Sequence, residues 1–443
     1  MARDTTELHA SQRESSGLAN KRVLRCAGAA VGEGPSARAE SVRNLVLVTL
    51  WTAALLGVGA RLALAWQSPE AADTANYRLV AETLRRGGRL YADTHLIYPY
   101  PPPWSVVELA ALQFSDATGA PFAFWARLPS VLADAAVVLL LYLLGPSRLA
   151  LRTTGALLYA LNPLPILVSS VHGQFDAIAV LSVLAAVYFF TAGRRYRAAL
   201  ALMSGIAFKA FPVLVVPVFL LALKTWRSRL AFAALATGPV AVMLAPFMLA
   251  DPAALFRELF AYSGVADHGW LVPVRALGDG LATLGPQSLT MMGASKYVFL
   301  VGYAFLLCVL ALGRTADVSS VLVRAVALVF AAFYVLYGGI SSQYLLWLLP
   351  FLLLLDLRAA VVYSAFATVA LMAFYNGIHP AMVAGTPFAL VSGPTALSLW
   401  VAFTVGWWLW VLVWTVKMLR FVRRAPAAWR GDSAPTDEAM SGH

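Results

Sequence analysis

Apolar runs separated by short stretches bearing arginine, proline or glycine fill the chain from Asn44 to Arg420. A helix rises about 1.5 Å per residue, so roughly 14–23 residues carry it most or all of the way across a hydrocarbon core. Runs of this kind predict spans at 44–66, 129–145, 152–171, 174–192, 229–249, 296–313, 320–338, 343–356, 360–376 and 395–416. Residues 198–223 are too long for one span and too short for two. Lys209-Ala210-Phe211-Pro212 interrupts them, which predicts a broken helix or a re-entrant hairpin. Residues 104–120 are ambiguous in the same way.

Two polar stretches carry a helical period of their own. Tyr77, Val80, Ala81 and Leu84 repeat at i, i+3, i+4, i+7, with Arg78, Glu82, Arg85 and Arg86 opposite and Gly87-Gly88 after them. This predicts a short amphipathic helix suited to lying flat in the membrane interface, with Asp73 or Thr74 as its N-cap. The second, 252–262, opens on Asp251-Pro252 and places Leu255, Phe256, Leu259 and Phe260 on one side. Between the two lies Tyr98-Pro-Tyr-Pro-Pro-Pro-Trp104. Three successive prolines exclude a helix there and predict a rigid, aromatic-flanked elbow.

Composition agrees with the pattern. The 443 residues are 60% hydrophobic and 12% charged, against about 45–50% and 25% in soluble chains. A polytopic membrane protein is implied. Residues 1–43 and 421–443 are expected to be disordered cytoplasmic tails flanking one membrane domain, 44–420, and no apolar core marks a signal peptide before Asn44. The net charge of +11 reads as topology, not as a nucleic-acid surface, because its arginines flank the spans. Arg22, Arg25, Arg43, Arg148, Arg152, Arg194, Arg195, Arg197, Lys224, Arg227, Arg229, Arg314, Arg358, Lys417, Arg420, Arg423 and Arg424 define a cytoplasmic side, provided 104–145 crosses an odd number of times. The other side then collects 67–103, His172–Asp176, the Lys209 break, 250–295, Gly338–Tyr344 and Asn376–Pro380. Nearly all the unusual residues share this face.

The order of these parts resembles the GT-C superfamily of membrane glycosyltransferases. "ADTANY" (72–77), "GGRLYAD" (87–93) and "YPYPPPW" (98–104) look like its first external loop. "HGQFDAIAV" (172–180) is similar to a motif of prokaryotic polyprenyl-phosphate-sugar-dependent mannosyltransferases and to a stretch in dolichyl-phosphate-glucose-dependent glucosyltransferases. "GIAFKAFPVLVVP" (205–217) and "SSQYLLWLLPFLL" (341–353) look like further segments of the prokaryotic group. The resemblance implies an all-α polytopic fold with about eleven or twelve membrane segments and a large first external loop carrying interfacial helices. It implies transfer of a hexose, mannose first, from a polyprenyl-phosphate donor on the non-cytoplasmic face of a bacterial cell membrane. The acceptor would be a glycolipid, lipid-linked oligosaccharide, cell-wall glycan or protein.

A lipid-phosphate leaving group is good and an acceptor hydroxyl is a poor nucleophile, so such a site needs a base and groups that hold the phosphate. By the resemblance Asp73 is the base, with Asp93 as its competitor. His172, Gln174 and Asp176 are expected to bind sugar hydroxyls or orient the base, against a bland reading of Asp176 as a helix-start acceptor. Lys209 and His268 are expected at the donor phosphate, against a snorkelling lysine and an idle loop histidine. Tyr98, Tyr100, Gln343 and Tyr344 join the substrate-binding set, and His379 is a weaker member. Arg127 is included too, although Arg127 and Asp134 stand seven apart and are expected to pair structurally. No metal is expected, because no Asp-x-Asp pair occurs in the external segments, and no other cofactor or nucleic acid is implied.

Three other classes compete. A transporter or lipid flippase suits broken helices and buried charge, but no repeat relates the two halves. A zinc hydrolase would draw on His95, His172, Asp176 and His268, without HExxH spacing. A membrane-anchored assembly protein would release no polyprenyl phosphate.

Overall fold

The computed structural model describes residues 35–95, 97–260, 264–279, 284–312 and 322–424. Much of the two expected tails falls outside these, as do Arg22, Arg25 and Arg314. The chain divides into two compact units, Met1–Thr52 and Ala53–His443. Of the first, only the opening of a helix is described; all that follows concerns the second.

The principal helices are α1 (Pro35–Gln67), α2 (Ala72–Arg85), α3 (Pro103–Thr118), α4 (Phe122–Leu144), α5 (Leu149–Ala160), α6 (Asp176–Thr191), α7 (Arg195–Phe208), α8 (Val216–Ala222), α9 (Trp226–Ala250), α10 (Pro252–Leu259), α11 (Pro286–Leu312), α12 (Leu322–Leu336), α13 (Leu349–Leu355), α14 (Leu357–Ile378) and α15 (Gly393–Arg424). Among the described residues the one departure from helix and loop is an isolated antiparallel bridge, His268 to Ile340. Among the described residues seven helices are long and apolar enough to cross a membrane, and four shorter apolar ones accompany them. This all-α architecture is compatible with an integral, multi-pass membrane protein.

Length and burial divide the helices by task. On α9, Val242 and Leu249 are largely exposed, as a lipid-facing surface requires. The short α6 and α12 are enclosed on nearly every side. In a medium without water a helix satisfies its own backbone, so a short one persists inside a bundle.

Several expectations change. Residues 104–120 resolve into α3, sixteen residues ended by left-handed Gly119, which leaves α4 as the one long apolar helix of 104–145. Helix α4 begins at Phe122, before the expected start, and runs through Pro129. Helix α1 begins at Pro35 and α15 continues to Arg424, past the domain edges expected at 44 and 420. Helix α2 forms as predicted, but Tyr77, Val80 and Ala81 pack against the protein's own aromatic cluster and not against lipid. Asp251 caps α10 by accepting from the Ala254 amide at 2.9 Å.

Arg127 and Asp134 do not pair. Asp134 binds Arg61 of α1 at 3.1 Å and the Tyr159 hydroxyl at 2.7 Å, all three side chains being buried. Arg61 also donates to the carbonyls of Gly57 and Ala160, at 3.1 and 2.6 Å. Arg127 donates to four carbonyls, Ala65, Ser68, Pro69 and Val171. It ties the end of α1 to the segment before Gly173. The seven-residue spacing of Arg127 and Asp134 holds, but nearer acceptors satisfy both.

Candidate functional site

Side chains from α2, the 172–176 turn, the Lys209 break, α14 and the 342–347 turn join in one hydrogen-bonded network. Asp73 stands in the first turn of α2. It is not the N-cap: Ala71 holds that position, and Thr74 donates to the Ala71 carbonyl. Asp73 Oδ2 meets His172 Nε2 at 2.6 Å and accepts from Gln174 Nε2 at 2.6 Å. Oδ1 accepts no hydrogen bond among the described residues, and the side chain keeps 32% of its exposure. Burial pushes the carboxyl up, but the His172 bond and charge, the Gln174 bond and Lys209 together outweigh it. Asp73 is therefore held below its ordinary value and is ionised at neutral pH.

Gly173 explains how the side chains on either side of it, His172 and Gln174, reach one oxygen. The turn Leu167–His172 is wound as a π-helix and ends on Gly173 at φ +83°. A Cβ there would stand 2.5 Å from Thr74 Cγ2 and 3.2 Å from the Arg127 side chain. The backbone thus approaches α2 as closely as a glycine permits, and His172 and Gln174 flank it. Behind His172, Nδ1 lies 2.9 Å from the Tyr375 hydroxyl. With neutral imidazole the phenol donates to Nδ1, and with imidazolium it accepts; in both forms Nε2–H points at Asp73.

The rest of the network leads from Gln174. Its Oε1 accepts from Lys209 Nζ at 3.1 Å, which fixes the amide so that its NH2 faces Asp73. Lys209 also binds Asp176 Oδ2 at 2.5 Å, and Asp176 Oδ1 accepts from Trp347 Nε1 at 2.6 Å. Helix α7 stops at Phe208, and Lys209 is extended (φ −148°, ψ 135°) before a short 3-10 turn that holds Pro212. That break frees the lysine to reach Asp176, as a continued helix would not.

The proline elbow supports the same turn from outside. Tyr98 accepts from the Ser105 amide at 2.7 Å and donates to the Pro101 carbonyl at 2.9 Å, closing the elbow on itself. Trp104 stacks on Phe175 at 3.9 Å, and Tyr100 meets the same ring edge-on at 4.8 Å. The elbow thus grips the residue between Gln174 and Asp176.

The expected site residues divide. Asp73, His172, Gln174, Asp176 and Lys209 come together, with the Tyr100 ring beside Lys209 at 5.4 Å. Asp93 is apart: it accepts from the Arg89 amide at 2.8 Å at an exposed loop. Tyr98 and Arg127 are fully buried in the supporting contacts already given. Lys209 is 6% exposed and engaged with Asp176 and Gln174. His268 is buried, its Nδ1 3.1 Å from the Thr404 hydroxyl, and burial pushes it down to about 3, so it is neutral. Gln343 is buried in the Ser342–Leu346 turn, Tyr344 packs on Trp347 at 4.2 Å, and His379 is exposed against Phe374. Among the described residues no three His, Cys, Asp or Glu side chains are placed to hold a metal, so the zinc set does not converge.

Tyr375 and Trp347 join the site without having been expected, and Asp267 stands at the start of the 342–347 turn. Asp267 accepts from the Ser342 amide and hydroxyl at 3.2 and 3.0 Å, and burial pushes its carboxyl up to about 6. Aromatic residues inside apolar runs carry no polar signal, so only the fold reveals Tyr375 and Trp347. No protein-family model matches the chain, and neither does any curated protein.

Proposed function

We propose that the protein is an inverting glycosyltransferase of GT-C type. It transfers a hexose, mannose first, from a polyprenyl monophosphate carrier to an acceptor hydroxyl on the non-cytoplasmic face of a bacterial cell membrane. The observation that supports this reading best is Asp73: an ionised, partly exposed carboxylate with Oδ2 tied to His172 and Gln174 and Oδ1 open.

In this reaction the acceptor O–H proton passes to Asp73 Oδ1. The acceptor oxygen forms a bond to the anomeric carbon as the bond from that carbon to the phosphate oxygen breaks. The electron pair leaves with the polyprenyl phosphate, and configuration inverts. A carboxylate of low basicity suits a good leaving group. It remains ionised while waiting and takes the proton late, once bonding to carbon has acidified the hydroxyl. His172 and Gln174 keep Oδ1 directed outward, and the Lys209–Asp176 pair keeps Gln174 from flipping.

Membranes holding the protein, supplied with labelled polyprenyl-phosphate-mannose, -glucose and -arabinose, test the donor. Asp73→Asn is expected to lower turnover by about 10²–10⁴-fold with donor binding intact, while Asp93→Asn remains near wild type. Normal turnover in Asp73→Asn would overturn the assignment, and no transfer from any donor by the wild type would overturn the activity.

A further inference from the structure

Of the two amphipathic stretches, α2 packs Tyr77, Val80 and Ala81 into the protein's own aromatic cluster, whereas α10 divides its apolar residues. Ala254 and Leu255 enter that same cluster, beside Tyr98, Tyr100, Trp104 and Phe175. Phe256 and Phe260 keep 61% and 58% of their exposure and stack on each other at 5.5 Å. Arg257 between them is exposed too. On the buried side Glu258 keeps 1% of its exposure, and its Oε2 accepts from the Tyr98 amide at 3.3 Å. We propose that α10 is a strut between the bilayer surface and the proline elbow: Phe256 and Phe260 seat in the phospholipid headgroup layer, and Glu258 holds the elbow at a fixed distance from it. The consequence for catalysis rests on the glycosyltransferase reading, because the elbow grips the turn that aims Asp73.

Continuity and charge choose lipid as the partner. Helix α9 ends at Ala250 with Val242 and Leu249 exposed, and α10 follows after one residue, Asp251, whose carboxylate caps it. The phenylalanine pair therefore prolongs the exposed apolar surface of α9, at the end of a helix long enough to cross a membrane. A short amphipathic helix with aromatic residues on one face and a cation beside them suits the boundary of headgroups and acyl chains. Arg257 offers lipid phosphates a guanidinium. On the other face, a glutamate is almost never fully buried without a partner. The Tyr98 amide, on a residue with no exposure, needs an acceptor in turn. The bond between them joins residues 160 apart in sequence and ties α10 to the elbow. From there the path is short. The elbow meets Phe175 through Tyr100 and Trp104, and Phe175 stands between Gln174 and Asp176. A shift of α10 relative to the bilayer is thus passed to the residues that hold Asp73.

Full-length protein in nanodiscs of phosphatidylethanolamine and phosphatidylglycerol tests both ends of the strut. Proline has no amide hydrogen, so between 98 and 105 hydrogen exchange reads only Tyr98, Tyr100, Trp104 and Ser105. Glu258→Ala should speed exchange in this segment by about 10–100-fold, the cost of leaving a buried donor unsatisfied. Glu258→Gln, whose amide oxygen still accepts, should recover most of the protection. Phe256→Ser combined with Phe260→Ser leaves the buried face intact and should speed exchange by about tenfold, which takes less than the full burial of one phenylalanine. In transfer assays turnover should follow the same order. A fluorophore on Phe256→Cys, in protein lacking Cys26 and Cys308, should be quenched by lipids bearing a nitroxide near the headgroup. Unchanged exchange in Glu258→Ala or in the double serine variant overturns the proposal. So does an unquenched fluorophore, which would put the pair out of reach of lipid. Exchange and quenching need no sugar transfer. Their expected pattern beside no transfer from any donor would fail the reaction alone, and transfer by the wild type beside unchanged exchange in the variants would fail the strut alone.

Discussion

At Gly173 a single hydrogen atom sets how closely the 172–174 turn approaches α2. Replacing it by a methyl group sets a Cβ 2.5 Å from Thr74 and asks an L-residue to hold φ +83°. Both demands push the 172–174 turn away from α2, and His172 and Gln174 lose their shared oxygen. Gly173→Ala is expected to lower sugar transfer about as far as Asp73→Asn while most of the protein still folds into membranes. Comparing turnover with the melting temperature of both variants checks this, and full activity in Gly173→Ala would contradict it. Five members of the network were legible as residue types: an early loop acid, His-Gly-Gln-Phe-Asp, and a lysine in an apolar run. Their partners were not. Nothing local tells that Lys209 spends its charge on Asp176, or that Tyr375 backs His172, because those contacts join residues far apart in sequence. The spacing of Arg127 and Asp134 misled because helical periodicity reports which side chains share a face, and says nothing of acceptors on other helices.

Among the elements, apolar run length located the helices well and their ends poorly. Helix α4 starts seven residues before the expected boundary because Pro129 is carried inside a helix whose neighbours hold it. The break after Phe208 was readable from Lys209 and Pro212, since proline and an intramembrane charge both oppose a continuous helix. The amphipathic period of α2 was also readable, yet not what covers its apolar face. A moment reports that one side is apolar; whether lipid or protein meets it depends on the elbow and on Phe175, which lie elsewhere in the chain.

For the whole molecule, the distribution of arginine predicts sidedness. With Arg194, Arg195 and Arg197 beside it, the turn after α6 is expected to be cytoplasmic, and the segment around α2 is then expected outside. In a protein lacking Cys26 and Cys308, single cysteines at Thr191 and Arg86, both exposed, should react with a membrane-impermeant reagent from opposite sides of intact cells. Reaction of both from the same side would contradict the topology and, with it, access of an external donor to Asp73.

The Arg61–Asp134 pair also sets a timetable for biogenesis. Arg61 leaves the ribosome well before its counter-ion, which follows 73 residues later in α4. Until then a charge stands in an apolar helix, where insertion scales put the cost at about 2.5–3.5 kcal/mol near mid-membrane. The first helix is therefore expected to settle only when α4 arrives, so that the two enter as a unit. Nascent chains truncated after Gly119 should integrate α1 poorly, and chains extended through Leu144 should integrate it fully. Arg61→Leu should remove the difference. Equal integration at both lengths in the unaltered chain would mean that α1 is stable in lipid without its partner.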